Sequence, residues 1–459
     1  MSNKLKEECG IFGIYGRENS DVARVTYFAL YALQHRGQES CGMAVNDLDK
    51  VVIRKDVGLV SEVFDEKFLN ETLGKIAIGH VRYSPNGSTG RENAQPLYTK
   101  YIKGDLGIVL NGSISNSEKL RRGLIENGAI FHSTVDTEVI AYLIARERIK
   151  SKSVEEAVEK VIPMLEGSFS MLIMSPKKLI AVRDPYGIRP MCMGKKGECL
   201  VFASESCALN AIGADFERDV KPGEIIVVTQ DSVVYNEKYC GGKTALCIFE
   251  HVYFARQDSV IDGQSVYDAR LEAGRMLAKQ HPVDADMVIG VPDSGICAAI
   301  GYSQESKITY GEGLVKNRYI GRTFIQPTQS QREQSVNIKL NVLRNNVKGK
   351  RIVMIDDSIV RGTTLKNIVN MLKKAGALEV HVRVSSPPFL WPCFYGTDIG
   401  KRSQLAAYKY TLDELRESIG ADTLGFLDVN TVTEIARKSN LNFCTACFDG
   451  KYIFKHDVE

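Results

Sequence analysis

The chain has 459 residues, of which 44% are hydrophobic and 25% are charged, and its formal net charge is +3. This length is too great for one ordinary hydrophobic core, so we expect two large domains of a globular protein. So small a net charge gives no reason to expect a nucleic acid or a membrane as a partner. No apolar run is long enough to span a membrane, and Met1–Glu8 lacks the apolar core of a secretory signal. We therefore expect a cytoplasmic protein whose 11 cysteines act as reduced thiols, in catalysis or as metal ligands.

The first half of the chain groups short alternating strands with intervening helices. The alternation predicts strands at Ile11–Tyr15, Met43–Val45, Val51–Ile53, Lys75–His80, Gly107–Leu110 and Phe169–Met174. Helical spacing of apolar residues predicts helices at Val22–Leu33, Ser117–Asn127, Thr137–Ile149 and Val154–Met164. This grouping predicts a layered α+β sandwich rather than a regular βα alternation. Gly241 and Gly242 then interrupt the pattern, which predicts a domain boundary near residue 240.

Cys9 stands at the start of the first predicted strand, in C-G-I-F-G-I, directly after a polar octapeptide. A buried structural cysteine is the commoner arrangement. This segment, however, resembles the beginning of the class II glutamine amidotransferases, which are N-terminal nucleophile hydrolases with an αββα fold. The resemblance implies that Met1–Glu8 is a propeptide, and that Cys9 becomes the first residue and the nucleophile. An α-amino group titrates near about pH 8, so it can take the proton of the thiol, whereas an amide nitrogen is not a base.

Further segments match this family in the family's order. They are H-V-R-Y-S with Arg82, L-N-G-S with Asn111 and Gly112, and V-D-T-E-V with Asp136. The resemblance implies that Arg82 grips the α-carboxylate of glutamine, in the bidentate geometry that a guanidinium favours, and that Asp136 holds the α-ammonium. It implies an oxyanion hole made of the Asn111 side-chain amide and the Gly112 backbone N–H. Taken singly, Asn-Gly is also a turn signal and Arg82 could form a surface ion pair. The matches extend over residues 9–240.

The second half contains a strand that ends in two carboxylates. Arg351–Ile355 is rich in β-branched residues and predicts a strand buried on both faces of a parallel sheet. Asp356 and Asp357 follow at the carboxyl edge, where open α/β sheets bind ligands, and they can bind ribose hydroxyls directly or through a divalent metal. A small, hydroxylated and basic loop comes next: Ser358, Ile359, Val360, Arg361, Gly362, Thr363 and Thr364. It leads into a helical pattern at Leu365–Ala375, whose N-terminus suits a phosphate. The alternative is an ordinary strand–turn–helix with a charged turn.

This stretch, V-M-I-D-D-S-I-V-R-G-T-T, resembles the phosphoribosylpyrophosphate loop of the type I phosphoribosyltransferases. The resemblance implies an α/β domain over residues 241–459 with a C-terminal tail, and Mg²⁺ held by Asp356 and Asp357. In that family a second turn contacts the pyrophosphate and its Mg²⁺, which implies Ser294 as a metal neighbour, although a generic turn after a predicted strand at Met287–Pro292 explains Ser294 almost as well. The basic segment Lys316–Leu340 occupies the position of the family's flexible loop, and R-Y-I-G-R-T-F within it resembles the loop's core.

The two resemblances together imply one reaction. Cys9 would release ammonia from glutamine, and the ammonia would displace pyrophosphate at C1 of 5-phosphoribosyl 1-pyrophosphate. The products are 5-phosphoribosylamine, glutamate and pyrophosphate, in the first committed step of purine synthesis. Family membership would add purine nucleotides as feedback inhibitors and a homotetramer. Asparagine and glucosamine-6-phosphate synthases share the first half alone, so the second half argues against them. A sensor that has lost the chemistry is the other alternative, against which the intact Cys9, Arg82, Asn111 and Asp136 speak.

A close pair of cysteines, Cys444 and Cys447, lies near the C-terminus in N-F-C-T-A-C-F. Such a pair can present two thiolates to a metal ion or a cluster, but it could equally be a redox pair or two packed apolar groups. Resemblance to the propeptide-bearing members of the family implies Cys247 and Cys393 as the other two ligands of a structural [4Fe–4S] cluster. Four thiolates also suit zinc, so zinc remains the alternative.

Overall fold

Two antiparallel β-sheets face each other in the first half of the chain. The computed structural model describes residues 9–47, 50–83, 90–317, 340–397, 399 and 401–456. The strands of this half are β1 (Gly10–Ser20), β2 (Ser40–Asn46), β3 (Val51–Val57), β4 (Gly74–Arg82), β5 (Leu97–Tyr101), β6 (Gly104–Ile114), β7 (Gly167–Ser175), β8 (Lys178–Arg183), β9 (Cys192–Lys196), β10 (Cys199–Ala203), β11 (Asp215–Asp219), β12 (Ile225–Val228) and β13 (Val233–Asn236). One sheet has the order β11-β9-β10-β1-β4-β2-β3, and the other has the order β13-β12-β8-β7-β6-β5.

Helices cover the outer faces of both sheets. The α-helices of this half are α1 (Val22–Ala32), α2 (Val60–Val63), α3 (Glu66–Glu71), α4 (Ser117–Glu126), α5 (Asp136–Lys150), α6 (Val154–Val161) and α7 (Ser206–Ala211). Apolar side chains such as Ile11, Ile78 and Leu172 fill the space between the sheets. Separate cores lie between α1 and the first sheet and between α5, α6 and the second sheet. The layers are therefore helix, sheet, sheet, helix, which confirms the predicted αββα sandwich.

A parallel sheet organises the second half. The strands of this half are β14 (Leu246–Cys247), β15 (Val260–Ile261), β16 (Gln264–Ser265), β17 (Met287–Gly290), β18 (Leu314–Lys316), β19 (Leu340–Val342), β20 (Arg351–Asp356), β21 (Glu379–Val384), β22 (Thr423–Phe426) and β23 (Phe443–Cys444). Its α-helices are α8 (Val266–Gln280), α9 (Gly295–Ser306), α10 (Arg344–Val347), α11 (Thr363–Lys374), α12 (Ala406–Lys409), α13 (Leu412–Ile419), α14 (Val429–Val432) and α15 (Ala446–Asp449). The sheet has the order β17-β20-β21-β22 with all pairs parallel. This confirms the predicted α/β domain.

The central strand β20 lies where the apolar run predicted it. The side chains of Ile352–Ile355 are fully buried between two cores, one on each face of the sheet. The helix α11 begins at Thr363, two residues before the start that periodicity predicted. The predicted loop core, R-Y-I-G-R-T-F, lies outside the described residues, but β18 and β19 on either side of residues 318–339 pair antiparallel. None of the helices in the described ranges is long and apolar enough to cross a bilayer.

A buried ionic cluster joins the two halves. Arg36, in the first half, is 1% exposed, and its guanidinium donates to Glu205 Oε1 at 2.6 Å and to both carboxylate oxygens of Glu250, at 2.8 and 2.9 Å. Glu250 begins a π-helix, Glu250–Phe254, in the second half. Burial by itself would raise the pKa of Glu250, but the charge and hydrogen bonds of Arg36 outweigh it, and the pKa is lowered. The carboxylate is therefore charged, held so chiefly by Arg36, with Arg189 Nη1 at 3.2 Å from Oε1 as a second cation.

Replacing Arg36 with methionine is expected to destabilise the protein strongly. The substitution keeps an apolar stem of similar length but leaves two buried carboxylates short of a partner, at a cost of about 3–5 kcal/mol. Urea unfolding followed by circular dichroism measures the loss. Arg24→Met is the control, because Arg24 pairs with Asp21 and Glu66 at the surface, where an ion pair contributes about 0–1 kcal/mol. Equal losses in the two variants would contradict the importance of the buried cluster.

Candidate functional site

The structure holds Cys9 between neighbouring strands of the first sheet. It immediately precedes β1, where Gly10 pairs with Val81 of β4. Its thiol lies 3.5 Å from the carbonyl oxygen of Tyr83, and its own carbonyl accepts a hydrogen bond of 3.0 Å from Arg36 Nε. The side chain is half-buried. The start of β1 therefore lies beside the end of β4, which carries Arg82.

Asn111 reaches the same region from the facing sheet. The hydroxyl of Ser204 accepts from the backbone N–H of Ile11 at 3.0 Å and from Asn111 Nδ2 at 3.3 Å, so one side chain ties the strand of the nucleophile to the amide. Asn111 is fully buried, and its Oδ1 has no hydrogen-bond partner within the described part of the chain. Buried polar groups are nearly always paired. The unused Oδ1 is an acceptor, and Nδ2 carries a second N–H besides the one given to Ser204, so this amide can bind a ligand.

The backbone on either side of Asn111 is also fixed. His80 Nε2 lies 3.0 Å from the carbonyl oxygen of Leu110, and burial lowers the pKa of His80 to about 3. The ring is thus neutral at physiological pH, and Nε2 is the nitrogen that donates. Gly112 has a φ of +139°, and a Cβ there would lie 2.1 Å from the carbonyl oxygen of Ser168. No other residue type fits position 112 without a backbone shift.

Asp136 is the first residue of α5 and lies at the end of β6. Its Oδ2 accepts a hydrogen bond of 2.8 Å from the backbone N–H of Ile114, three residues beyond Asn111. Burial raises the pKa of Asp136, although the hydrogen bonds from the Ile114 amide and the Ser117 hydroxyl act in the opposite direction. A desolvated carboxylate of this kind is stabilised by a cation, such as the ammonium of an amino acid. The structure thus gathers the predicted glutamine-site residues around the ends of β1, β4 and β6.

The second predicted site forms at the carboxyl edge of the parallel sheet. Asp356 ends β20, and Asp357 accepts hydrogen bonds of 2.5 Å from both Ser294 and Ser358. Both carboxylates are nearly buried, at 4% and 5% exposure. The turn that carries Ser294 packs tightly here, since a Cβ on Gly295 would lie 2.4 Å from the carbonyl oxygen of Ile355. The two turns predicted from separate motifs are therefore in direct contact.

The loop after the acid pair can offer mainly its backbone. The side chain of Ile359 is buried in the core, and the Val360 carbonyl accepts from the Ala406 N–H at 2.7 Å. Gly362 has a φ of +79° and caps α11, which begins at Thr363. The free N–H groups of a helix start bind anions, as predicted for this loop.

The four cysteines predicted as cluster ligands line one cavity. Cys247 pairs with Cys444 across β14 and β23. The carbonyl of Cys447 accepts hydrogen bonds of 3.1 Å from the backbone N–H groups of Leu390 and Trp391, which lie shortly before Cys393. Burial raises the pKa of Cys447 well above its ordinary value, and the thiols of Cys393, Cys247 and Cys444 act in the same direction.

Zinc and an iron–sulfur cluster place different demands on such sulfurs. Zinc requires its ligand sulfurs to lie about 2.3 Å from a single ion, whereas in a cluster each iron takes its own cysteine. Within the residues that the structure describes, no three histidine, cysteine or acidic side chains are arranged to hold one metal ion.

Two family models match the chain. One, described as a glutamine amidotransferase domain, covers residues 80–211, and the other, described as a phosphoribosyl transferase domain, covers residues 264–386. Each model falls on the half that contains the corresponding predicted site. The fold and the sites thus define a class of protein in which a glutamine amidotransferase is joined to a phosphoribosyltransferase.

Full-length relatives narrow this class to one family. An amidophosphoribosyltransferase of Synechocystis sp. is 48% identical, over 98% of this chain and 92% of its own length, and that of Bacillus subtilis is 46% identical over 98% and 94%. A solved structure of the glutamine phosphoribosylpyrophosphate amidotransferase of B. subtilis, complexed with ADP and GMP, matches with a TM-score of 0.90 at 45% identity, covering 97% of both chains. Another, described as the allosteric regulatory enzyme of purine biosynthesis, matches with a TM-score of 0.91 at 45% identity, over 97% of this chain and 96% of that one. The chain belongs to the amidophosphoribosyltransferase family.

Several residues that shape the sites were not predicted from the sequence. Arg36 and Glu250 occur in the segments Q-H-R-G-Q and F-E-H-V-Y. The two residues pair with each other although they lie 214 residues apart in the sequence. Ser204 and His80 likewise act through contacts across the sandwich. A signal is present for Glu250 alone, because a glutamate within an otherwise apolar run such as A-L-C-I-F-E-H-V-Y-F requires a partner.

Replacing Gly112 with alanine is expected to abolish the use of glutamine. The new Cβ would meet the Ser168 carbonyl and the positive φ would be strained, so the glutamine-dependent rate should fall by about 10²-fold or more. Activity with ammonia should persist, because the second site is untouched. Gly123→Ala is the control, since nothing lies within 4 Å of a Cβ there, in α4, and it should leave both rates unchanged. Normal glutamine use in Gly112→Ala would contradict the role assigned to this strand.

Proposed function

We propose that this chain hydrolyses glutamine at Cys9 and transfers the ammonia to C1 of 5-phosphoribosyl 1-pyrophosphate. The products are 5-phosphoribosylamine, glutamate and pyrophosphate. The observation that carries the proposal is the contact between the halves: Arg36 binds the carbonyl of Cys9 and the carboxylate of Glu250. The glutamine site is thereby fastened to the half that contains the acid pair. Membership of the amidophosphoribosyltransferase family supports the same reaction.

The glutamine step needs Cys9 as the first residue of the mature chain. We propose that Met1–Glu8 is removed and that residues 9–240 form the glutaminase domain; the octapeptide lies outside the described residues. The α-amino group takes the thiol proton as sulfur attacks the amide carbon, and it returns a proton to the departing ammonia. Asn111 Nδ2 and the Gly112 N–H stabilise the oxyanion, and water then cleaves the thioester to glutamate.

Two further residues fix the substrate in this step. The guanidinium of Arg82 binds the α-carboxylate of glutamine, for which two parallel hydrogen bonds give a defined orientation. The carboxylate of Asp136 binds the α-ammonium, and the raised pKa of this carboxyl supports the assignment, because a cation stabilises a carboxylate that has lost part of its hydration. Holding both ends of the amino acid places the amide carbon at the nucleophile.

The transfer step belongs to residues 241–459. The backbone N–H groups and hydroxyls of Ser358–Thr364 hold the 5-phosphate, and the carboxylates of Asp356 and Asp357 hold the ribose and Mg²⁺, with Ser294 beside them. Nearly buried carboxylates at this edge are the oxygen ligands that Mg²⁺ prefers. The bound ion would neutralise charge on the pyrophosphate. Ammonia forms a bond to C1 as the C1–O bond breaks, and the new amine then loses a proton.

We also propose that Cys247, Cys393, Cys444 and Cys447 hold a [4Fe–4S] cluster. The cavity that they line supports this, and Ile188 and Arg189 of the first half line it too. A cluster there would be structural and away from the reacting atoms, cross-linking the tail to the rest of the second half and packing against the first half at Ile188 and Arg189.

The proposal extends to regulation by purine nucleotides. A relative that binds ADP and GMP supports feedback inhibition by purine nucleotides. The homotetramer and the cytoplasmic location stay predictions from the sequence.

Substitutions in the two sites are expected to separate the two steps. Cys9→Ala should abolish glutamine hydrolysis but retain synthesis from ammonia, because the second site is separate. Asp356→Asn and Asp357→Asn should reduce synthesis from either nitrogen source, while some glutamine hydrolysis persists. Assays of glutamate and phosphoribosylamine with each nitrogen source measure this.

The same proteins test the maturation. The mass of active enzyme should match a chain that begins at Cys9. Active protein that retains Met1–Glu8 would exclude the α-amino mechanism.

For the aspartate variants, unchanged ammonia-dependent synthesis in both would exclude the assignment of the acid pair.

Iron and sulfide analysis tests the cluster. Protein purified without oxygen should contain iron and inorganic sulfide and absorb visible light. Cys247→Ser should lose the iron, the sulfide and the absorption. Cys240→Ser is the control, because Cys240 is half-buried outside the cavity, and it should retain them. Colourless, active wild-type protein that contains zinc or no metal would refute the cluster.

A further inference from the structure

The hydroxyl of Ser168 joins two distant parts of the chain. Ser168 lies on β7 opposite Ser113 of β6 and is fully buried. Its Oγ accepts a hydrogen bond of 3.2 Å from the Ser113 N–H and donates one of 2.7 Å to the carbonyl oxygen of Tyr395. A serine hydroxyl has one hydrogen to donate, and here that hydrogen crosses to the second half.

Tyr395 is itself firmly held. Its side chain is 2% exposed, and its phenol oxygen accepts hydrogen bonds of 3.0 and 3.2 Å from the backbone N–H groups of Ile453 and Phe454. Its carbonyl also accepts from Arg189 Nη2. The oxygen to which Ser168 donates is therefore anchored by the C-terminal segment and by the first half.

Gly112 needs such an anchor. Glycine populates positive and negative φ about equally, so its own covalent structure does not select the φ of +139° seen here. Fixing the direction of the next N–H, that of Ser113, restrains the backbone at Gly112. The carbonyl of Ser168 closes one side, and a Cβ on Gly396 would lie 3.7 Å from the carbonyl carbon of Gly112 on another.

We propose that Ser168 is a positioning residue for glutamine hydrolysis. By tying the Ser113 N–H to the Tyr395 carbonyl it holds Gly112 in the one conformation that aims its N–H at the oxyanion. The C-terminal segment thus contributes to the chemistry of the first half. This inference rests on the oxyanion role proposed above for Asn111 and Gly112.

Ser168→Ala tests the inference through its effect on kcat and KM for glutamine. The oxyanion exists in the transition state and not in bound glutamine, so kcat should fall while KM stays within about twofold. Because Ser168 acts through Gly112, we expect a fall of about tenfold, less than the ~10²–10³-fold loss typical of a missing oxyanion donor. Synthesis from ammonia should be unchanged, which also reports that the variant is folded.

Two further variants make the outcome decisive. Thr26→Val removes another buried hydroxyl of the first half, one bonded at 2.7 Å to the carbonyl of Val22 within its own helix, and it should leave kcat unchanged.

Asn111→Ala tests the oxyanion site itself. If Asn111→Ala is impaired but Ser168→Ala is not, the inference on Ser168 is wrong and the site stands. If Asn111→Ala hydrolyses glutamine normally, the proposed site is wrong. A rise in KM without a change in kcat, or an equal fall in the ammonia reaction, would reduce Ser168 to a structural role.

Discussion

The position of Cys9 depends on a guanidinium that both halves of the chain share. Arg36 donates to the Cys9 carbonyl with one nitrogen and to Glu205 and Glu250 with the other two. All three charged groups are out of contact with solvent. Removing one partner of such a cluster leaves a buried charge uncompensated, which destabilises the remaining partners as well. The guanidinium that holds the Cys9 carbonyl is therefore itself held in part by Glu250, a carboxylate of the second half.

The π-helix Glu250–Phe254 carries this dependence toward the second site. The guanidinium of Arg270 donates to the carbonyls of His251, Tyr253 and Ala255 at 2.7–2.9 Å. Burial lowers the pKa of Arg270, whereas the charges of Cys297, Asp357 and Glu205 act to raise it. Arg270 lies on α8, which packs closely against α9, the helix that begins directly after Ser294. One short element thus contacts Arg36 at its start and, through Arg270, the neighbourhood of the acid pair. We expect a ligand that binds the acid pair to bias this element and through it the glutamine site.

Local patterns predicted the catalytic segments better than the contacts that hold them. The apolar run before Asp356 and the Gly-Thr-Thr start of α11 each carry their signal within a few residues, and both were found from sequence. Ser168, Arg36 and Glu250 act through partners up to 227 residues away, which no local pattern encodes. Cys247 and Cys393 came from family resemblance, because single cysteines have no spacing to interpret.

The claim that the two sites are mechanically joined is tested most directly by the rate of glutamine hydrolysis. The rate should be measured with and without 5-phosphoribosyl 1-pyrophosphate and Mg²⁺, with glutamine at a saturating concentration. If the acid pair, the π-helix and Arg36 form one connected unit, hydrolysis should be several-fold faster when the sugar pyrophosphate is bound. Equal rates in the two conditions would mean that the buried contacts hold the halves together without connecting their chemistry.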